Sequence, residues 1–256
     1  MSEFNSWRSY WDFSSAVKWR SRYIHDEEVQ QFLSVVLATS EKRRATIPKG
    51  TILWRAQCGY VPREVCSEDG EVIGDEEWPF PPKRMKPEPG RASEGRANPK
   101  GIPYLYLSDD RDTALAEVRP WIGLRISVAQ FRILKDLLVI DCSQDSDRRV
   151  IYFKEPEPDK REQAVWGDIN AAFSQPITPT DKVADYVPTQ IIAELFKSSG
   201  HDGIVYKSGC GAGHNVALFD LEIAQLLNCS LYTPVSLKFD FEECANPYFV
   251  KEESDC

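Results

Sequence analysis

An arginine, a tyrosine and a glutamate share one stretch, GRANPKGIPYLYLSDDRDTALAEVRP (95–120). Arg96 lies on a loop framed by Gly95 and Gly101 and stiffened by Pro99. A guanidinium held this way suits a phosphate or a carboxylate, because its fork donates two parallel hydrogen bonds. It reads equally as a surface arginine on a loop. Glu117 stands among Thr113, Ala114, Leu115, Ala116 and Val118. At 100° per residue it borders the apolar arc of a helix. Such a carboxylate is either a solvated neighbour of the core or a group aimed into a cleft. Arg55 is embedded in an apolar strand, ILWRAQ, where an isolated charge is costly and a partner is required. A structural ion pair would satisfy it as well as a ligand would.

A second polar stretch, KSGCGAGHN (207–215), has the glycines of a nucleotide loop but fails as a dinucleotide fingerprint. The third glycine position is His214, and the adjoining NVALFD (215–220) reads as a strand rather than a helix. The Gly-Lys-Ser/Thr of a P-loop is also missing. The stretch reads as a flexible loop, or a simple hairpin turn, that presents Ser208 at a strand end and starts the next strand at Asn215. Other chemistries find little support. His25, His201 and His214 have no metal-ligand spacing with Cys or Glu, and His201, after a helix-stopping glycine, reads as a capping or surface residue. No G-x-S-x-G occurs. No metal is expected.

The elements that must position these groups can be read from periodicity. Val29, Phe32, Leu33, Val36 and Leu37 fall on one helical face, so residues 1–46 form a helical N-terminal extension. TILWRAQ (51–57), YLYLS (104–108), LRISVAQF (124–131), LLVIDCS (137–143), GIVY (203–206), NVALFD (215–220) and VSLKFDF (235–241) read as strands. Ser108, Asp109 and Asp110 offer caps for a helix that Pro120 ends. Two more helices are expected, one over 161–173 and one after Pro188 that stops at Gly200. Residues 58–95, dense in Pro, Glu, Asp and Gly, form an irregular insertion in a domain spanning 47–241, and 242–256 form a C-terminal tail. Strands and helices mix without regular βαβ alternation, which makes the fold class α+β.

Bulk properties narrow the partners. The net charge of −9 offers no counterion-release attraction to nucleic acid and disfavours an anionic membrane surface. No apolar run approaches the roughly twenty residues of a membrane helix, and no secretory h-region is visible. The seven Cys are scattered without C-x-x-C, so neither a disulfide framework nor a zinc ribbon is expected. A cytoplasmic location is the simplest reading.

LWRAQ (53–57), the stretch 95–120 and HDGIVYKSGCGAGHNVALFD (201–220), in that order and spacing, resemble the RES-domain family. The resemblance implies an ADP-ribosyltransferase-like mixed sheet with flanking helices. It implies a toxin of a toxin–antitoxin pair that takes NAD as its substrate and cleaves the nicotinamide–ribose bond, by hydrolysis or phosphorolysis. The alternatives are ADP-ribosyl transfer to a protein, or a module that binds a nucleotide or an antitoxin without turnover. By the same resemblance Arg55 and Arg96 would bind the pyrophosphate. Tyr106, with Trp54, would stack on the nicotinamide. Ser208 would hydrogen-bond the carboxamide or its ribose, and Asn215 would occupy a polar binding position. Glu117 would stabilise the ribose cation. Family members often carry Tyr where Trp54 stands, so this chain keeps the aromatic face and loses a hydroxyl. A protein antitoxin from a neighbouring gene is the implied partner, and a homodimer is left open.

Overall fold

The computed structural model describes residues 3–144, 151–175, 183–238, 240, 241 and 243. Two helices open the chain, α1 (Ser9–Trp19) and α2 (Glu27–Ser40). Asp26 caps α2 by accepting from the Val29 amide at 2.9 Å, and Glu27 and Glu28 fill its first turn. Strands β1 (Arg44–Ile47), β2 (Ile52–Cys58), β3 (Val61–Cys66) and β4 (Val72–Trp78) come next, then the short α3 (Pro82–Met85). After these are β5 (Leu105–Ser108), α4 (Arg111–Glu117), β6 (Ile126–Ile133) and β7 (Leu137–Asp141). The chain continues through α5 (Pro158–Ser174), α6 (Val187–Ser198), β8 (Gly203–Lys207), β9 (His214–Leu218) and β10 (Ala224–Tyr232).

Among the described residues the main sheet has eight strands in the order β1-β7-β8-β9-β5-β2-β6-β10. Only β7 and β8 pair in parallel, joined by the crossover that contains α5 and α6. The fold is therefore α+β with a mixed sheet and an N-terminal helical region. Alternation along β5 divides its side chains: Leu105 and Leu107 enter one apolar cluster with Leu53, Phe131 and Val216, while Tyr104 and Tyr106 face the other. That second cluster is the helical layer, where α1, α2, α5 and α6 pack through Phe13, Val36, Trp166 and Phe196. Phe13 stacks on Phe32 with ring centroids 4.4 Å apart.

The structure departs from the sequence-based expectations in four places. Residues 44–47 form the edge strand β1, so the sheet begins inside the stretch expected to be helical. The insertion 58–95 is not irregular throughout: β3 and β4 form a two-stranded antiparallel sheet of their own. The closing strand is β10 at 224–232, paired with β6, whereas 235–238 carry no strand despite clean alternation. His201 does cap, its Nδ1 within 3.2 Å of the Phe196 carbonyl, but it is buried rather than on the surface. The expected C-terminal tail, apart from Glu243, lies outside the described residues.

Candidate active site

The sheet register lines up polar and aromatic residues in one row. Tyr206 on β8 faces Asn215 on β9, Asn215 faces Ser108 on β5, and Ser108 faces Trp54 on β2. The Trp54–Ser108 pair is the one register match between β2 and β5, whereas β2 pairs with β6 along its whole length. A cavity of about 430 Å³ opens there, lined by Trp54, Arg55, Arg96, Tyr106, Glu117 and Asn215 among others. Six of the seven residues singled out in the sequence thus share one cleft.

Glu117 ends α4 and is exposed to this cleft. Its Oε1 accepts from Ser208 Oγ at 2.5 Å and from Asn215 Nδ2 at 2.6 Å. Asn215 is oriented in turn by Ser108 Oγ, which donates to its Oδ1 at 2.8 Å. Both donors fall on Oε1. The carboxylate thus faces the cleft and is oriented there by two donors.

Ser208 is the seventh residue, and it does not line the cavity. Its buried hydroxyl stands behind Glu117 and also accepts from the amides of Cys210 and Gly211, at 3.1 and 2.8 Å. With donor and acceptor sites engaged, it holds the Glu117 carboxylate from behind. The glycine loop carrying it is clamped to α4. Gly213 N donates to Thr113 Oγ1 at 3.0 Å, and Thr113 Oγ1 donates to the cap residue Asp110 at 2.5 Å. The Thr113 hydroxyl and amide hold the Asp110 carboxyl below its ordinary 3.8. A Cβ at Gly211 would lie 2.9 Å from Thr113 Cα, so only glycine fits this approach.

Arg55 finds no carboxylate partner among the described residues, which overturns the ion-pair reading. Its Nη1 donates to the Tyr106 carbonyl at 2.9 Å, bridging β2 and β5 where their ladder stops. Its Nη2 lies 3.1 Å from the Gln57 amide oxygen in the amide orientation that satisfies both groups. Burial lowers its basicity to about 10, with the nearby Tyr106 opposing. Arg96 is buried on its loop, with its guanidinium carbon 4.8 Å from the centroid of the Tyr186 ring. Tyr106 holds that loop: its hydroxyl donates to Asn98 Oδ1 at 2.7 Å and accepts from the Ala97 amide at 3.0 Å. Burial pushes the phenol well above its usual range. Tyr106 therefore lines the cleft with its ring and builds the arginine loop with its hydroxyl.

Two contributors are not apparent from the sequence. Asn98 knits the loop by donating to the carbonyls of Ser93, Pro99 and Ile102, at 3.0, 3.1 and 2.8 Å. The Asn-Pro step between two glycines was the available signal. Arg119 lines the cleft with a backbone φ of 48°, and nothing in the local pattern marked it. Among the described residues no group of three His, Cys, Asp or Glu is arranged to hold a metal. No described helix is long and apolar enough to cross a membrane.

The mixed sheet thus parts at one strand pair, and an oriented carboxylate and three arginines line the gap. The RES domain family model matches residues 72–240, and the chain belongs to that family. No curated protein matches the chain. A solved structure of the M. tuberculosis MbcT–MbcA toxin–antitoxin complex is similar at 16% identity, over 77% of this chain and 92% of that one, with a TM-score of 0.41.

Proposed function

We propose that this cleft cleaves the nicotinamide–ribose bond of NAD. The observation that carries the reading is Glu117, one carboxylate held by Ser208 and Asn215 at the mouth of a cleft with an aromatic and cationic wall. Nicotinamide leaves as a neutral molecule from a cationic glycoside, so no general acid is needed to expel it. The reaction instead requires a fixed negative charge beside the ribose as oxocarbenium character develops. Glu117 supplies that charge, and its oriented carboxylate needs no rearrangement as the transition state forms. Trp54 and the Tyr106 ring offer the nicotinamide its aromatic surface, without the hydroxyl usual at position 54. Arg96 and Arg55 give the wall facing the pyrophosphate its positive charge. The acceptor is water or phosphate.

Membership of the RES family supports a biological role as a growth-inhibiting toxin restrained by a protein antitoxin. The direct test is incubation of pure protein with NAD, with and without phosphate, and identification of the products. Free nicotinamide is expected, with ADP-ribose from hydrolysis or its 1″-phosphate from phosphorolysis. Label retained on protein instead would assign ADP-ribosyl transfer. Glu117→Gln is expected to keep the fold and lower turnover about 10²-fold, the scale of losing one aimed electrostatic group. Turnover by that variant at the wild-type rate would remove Glu117 from the mechanism.

A further inference from the structure

We propose that Arg119 is the arm of the cleft that contacts phosphate, closing on the pyrophosphate of the dinucleotide. The proposal rests on reading the cleft as a dinucleotide site. Three arginines line the cavity, Arg55, Arg96 and Arg119, and they differ in what surrounds them. The Arg55 fork is taken by the Tyr106 carbonyl and Gln57, so it contributes charge more than hydrogen bonds. Arg96 is buried against the Tyr186 ring. Arg119 alone among them is exposed, and no hydrogen bond or ion pair among the described residues engages its guanidinium.

The backbone explains how Arg119 reaches the cleft. Residues i and i+2 on a helix point to different faces, so a continued α4 would carry Arg119 away from Glu117. The helix ends instead at Glu117, with Val118 as its C-cap, and Arg119 takes a left-handed conformation with its amide bonded to the Ala116 carbonyl at 2.9 Å. That turn brings residue 119 back to the cavity lined by Glu117. It is the one non-glycine residue with positive φ among those described, in a position where glycine is the favoured residue. An arginine kept there against its backbone preference, beside a carboxylate it does not pair with, points to an anion supplied by the ligand.

The experiment compares wild type, Arg119→Gly and Arg119→Lys by thermal melting, calorimetric binding of ADP, and NAD turnover. Arg119→Gly is expected to melt at or above the wild-type temperature, since glycine adopts this conformation without strain. Its ADP affinity should fall about tenfold, and its KM for NAD should rise about tenfold with kcat little changed, as for loss of one charge-assisted contact. Arg119→Lys keeps the charge but not the fork and should recover only part of the affinity. Unchanged ADP affinity in Arg119→Gly overturns the proposal, whatever the turnover. A lowered melting temperature in both Arg119→Gly and Arg119→Asn, another residue tolerant of this turn, also overturns it by making the residue structural. If ADP binding weakens as expected but wild type leaves NAD intact, the phosphate contact stands and the cleavage reading falls. If wild type does not bind ADP, both fall.

Discussion

Glu117 owes its orientation to donors 91 and 98 residues further along the chain, each with a different supporting contact. Removing either donor should therefore affect chemistry more than binding. Asn215→Ala and Ser208→Ala are each expected to lower kcat about tenfold or more with KM for NAD nearly constant, measured by steady-state kinetics. Ser108→Ala acts one bond further away and should cost less. Arg55→Lys removes the guanidinium that bridges from β2 to the Tyr106 carbonyl on β5. The loss of about 2 kcal/mol should lower the melting temperature by about 5 °C. Residue types marked these positions in the sequence. What each side chain does was hidden, because a hydroxyl touching a ligand and one buried behind a carboxylate look identical in a string of letters. Ser208 shows this, and so does Arg55, whose partner is a main-chain carbonyl that no composition argument can locate.

At the scale of elements, α4 and the glycine loop behave as one unit through Thr113. Gly211→Ala should push the loop off Thr113 and lower kcat while the far-ultraviolet circular dichroism stays native, because the sheet is untouched. Thr113→Val should do the same and Thr113→Ser should restore it, since the bond to the Gly213 amide needs only the hydroxyl. The Asp110 carboxyl, held low by Thr113, gives this clamp an acid limit. Its stabilisation is complete above the ordinary value of 3.8 and is lost only as pH falls through the lower folded value, so acidification to pH 5 should leave the loop in place. Helices were legible here because their caps and periodic faces are local: Asp110 caps α4, and Val29, Phe32 and Val36 are buried along one face of α2, where the sequence puts them. Strands at the margins were not. β10, AQLLNCSLY, lacks alternation because a bulge at Leu226/Asn228 shifts its register, while 235–238 alternate without a partner strand.

For the whole molecule, the N-terminal helices are part of the core rather than an appendage. Phe13 and Phe32 stack within the same cluster as Trp166 and Phe196. Phe13→Ala should cost about 3–5 kcal/mol and lower the melting temperature by roughly 10 °C, with KM for NAD unchanged in the surviving folded protein. Lys18 on α1 pairs with Asp185 at 3.0 Å, just before the Tyr186 ring that lies under Arg96. The order of the eight strands could not be read from sequence, because pairing partners such as β1 and β7 lie far apart and no local residue specifies them.

The lone Trp54–Ser108 match divides the sheet into two leaves, one of β1, β7, β8, β9 and β5, the other of β2, β6 and β10. Arg55 and Trp54 belong to one leaf, Tyr106, Ser108 and Asn215 to the other, so a molecule filling the cavity touches both. Such a molecule works as a staple across a seam. Amide hydrogens along β2 and β5 should exchange more slowly when it is present, and the two leaves should then come apart in a single step on heating.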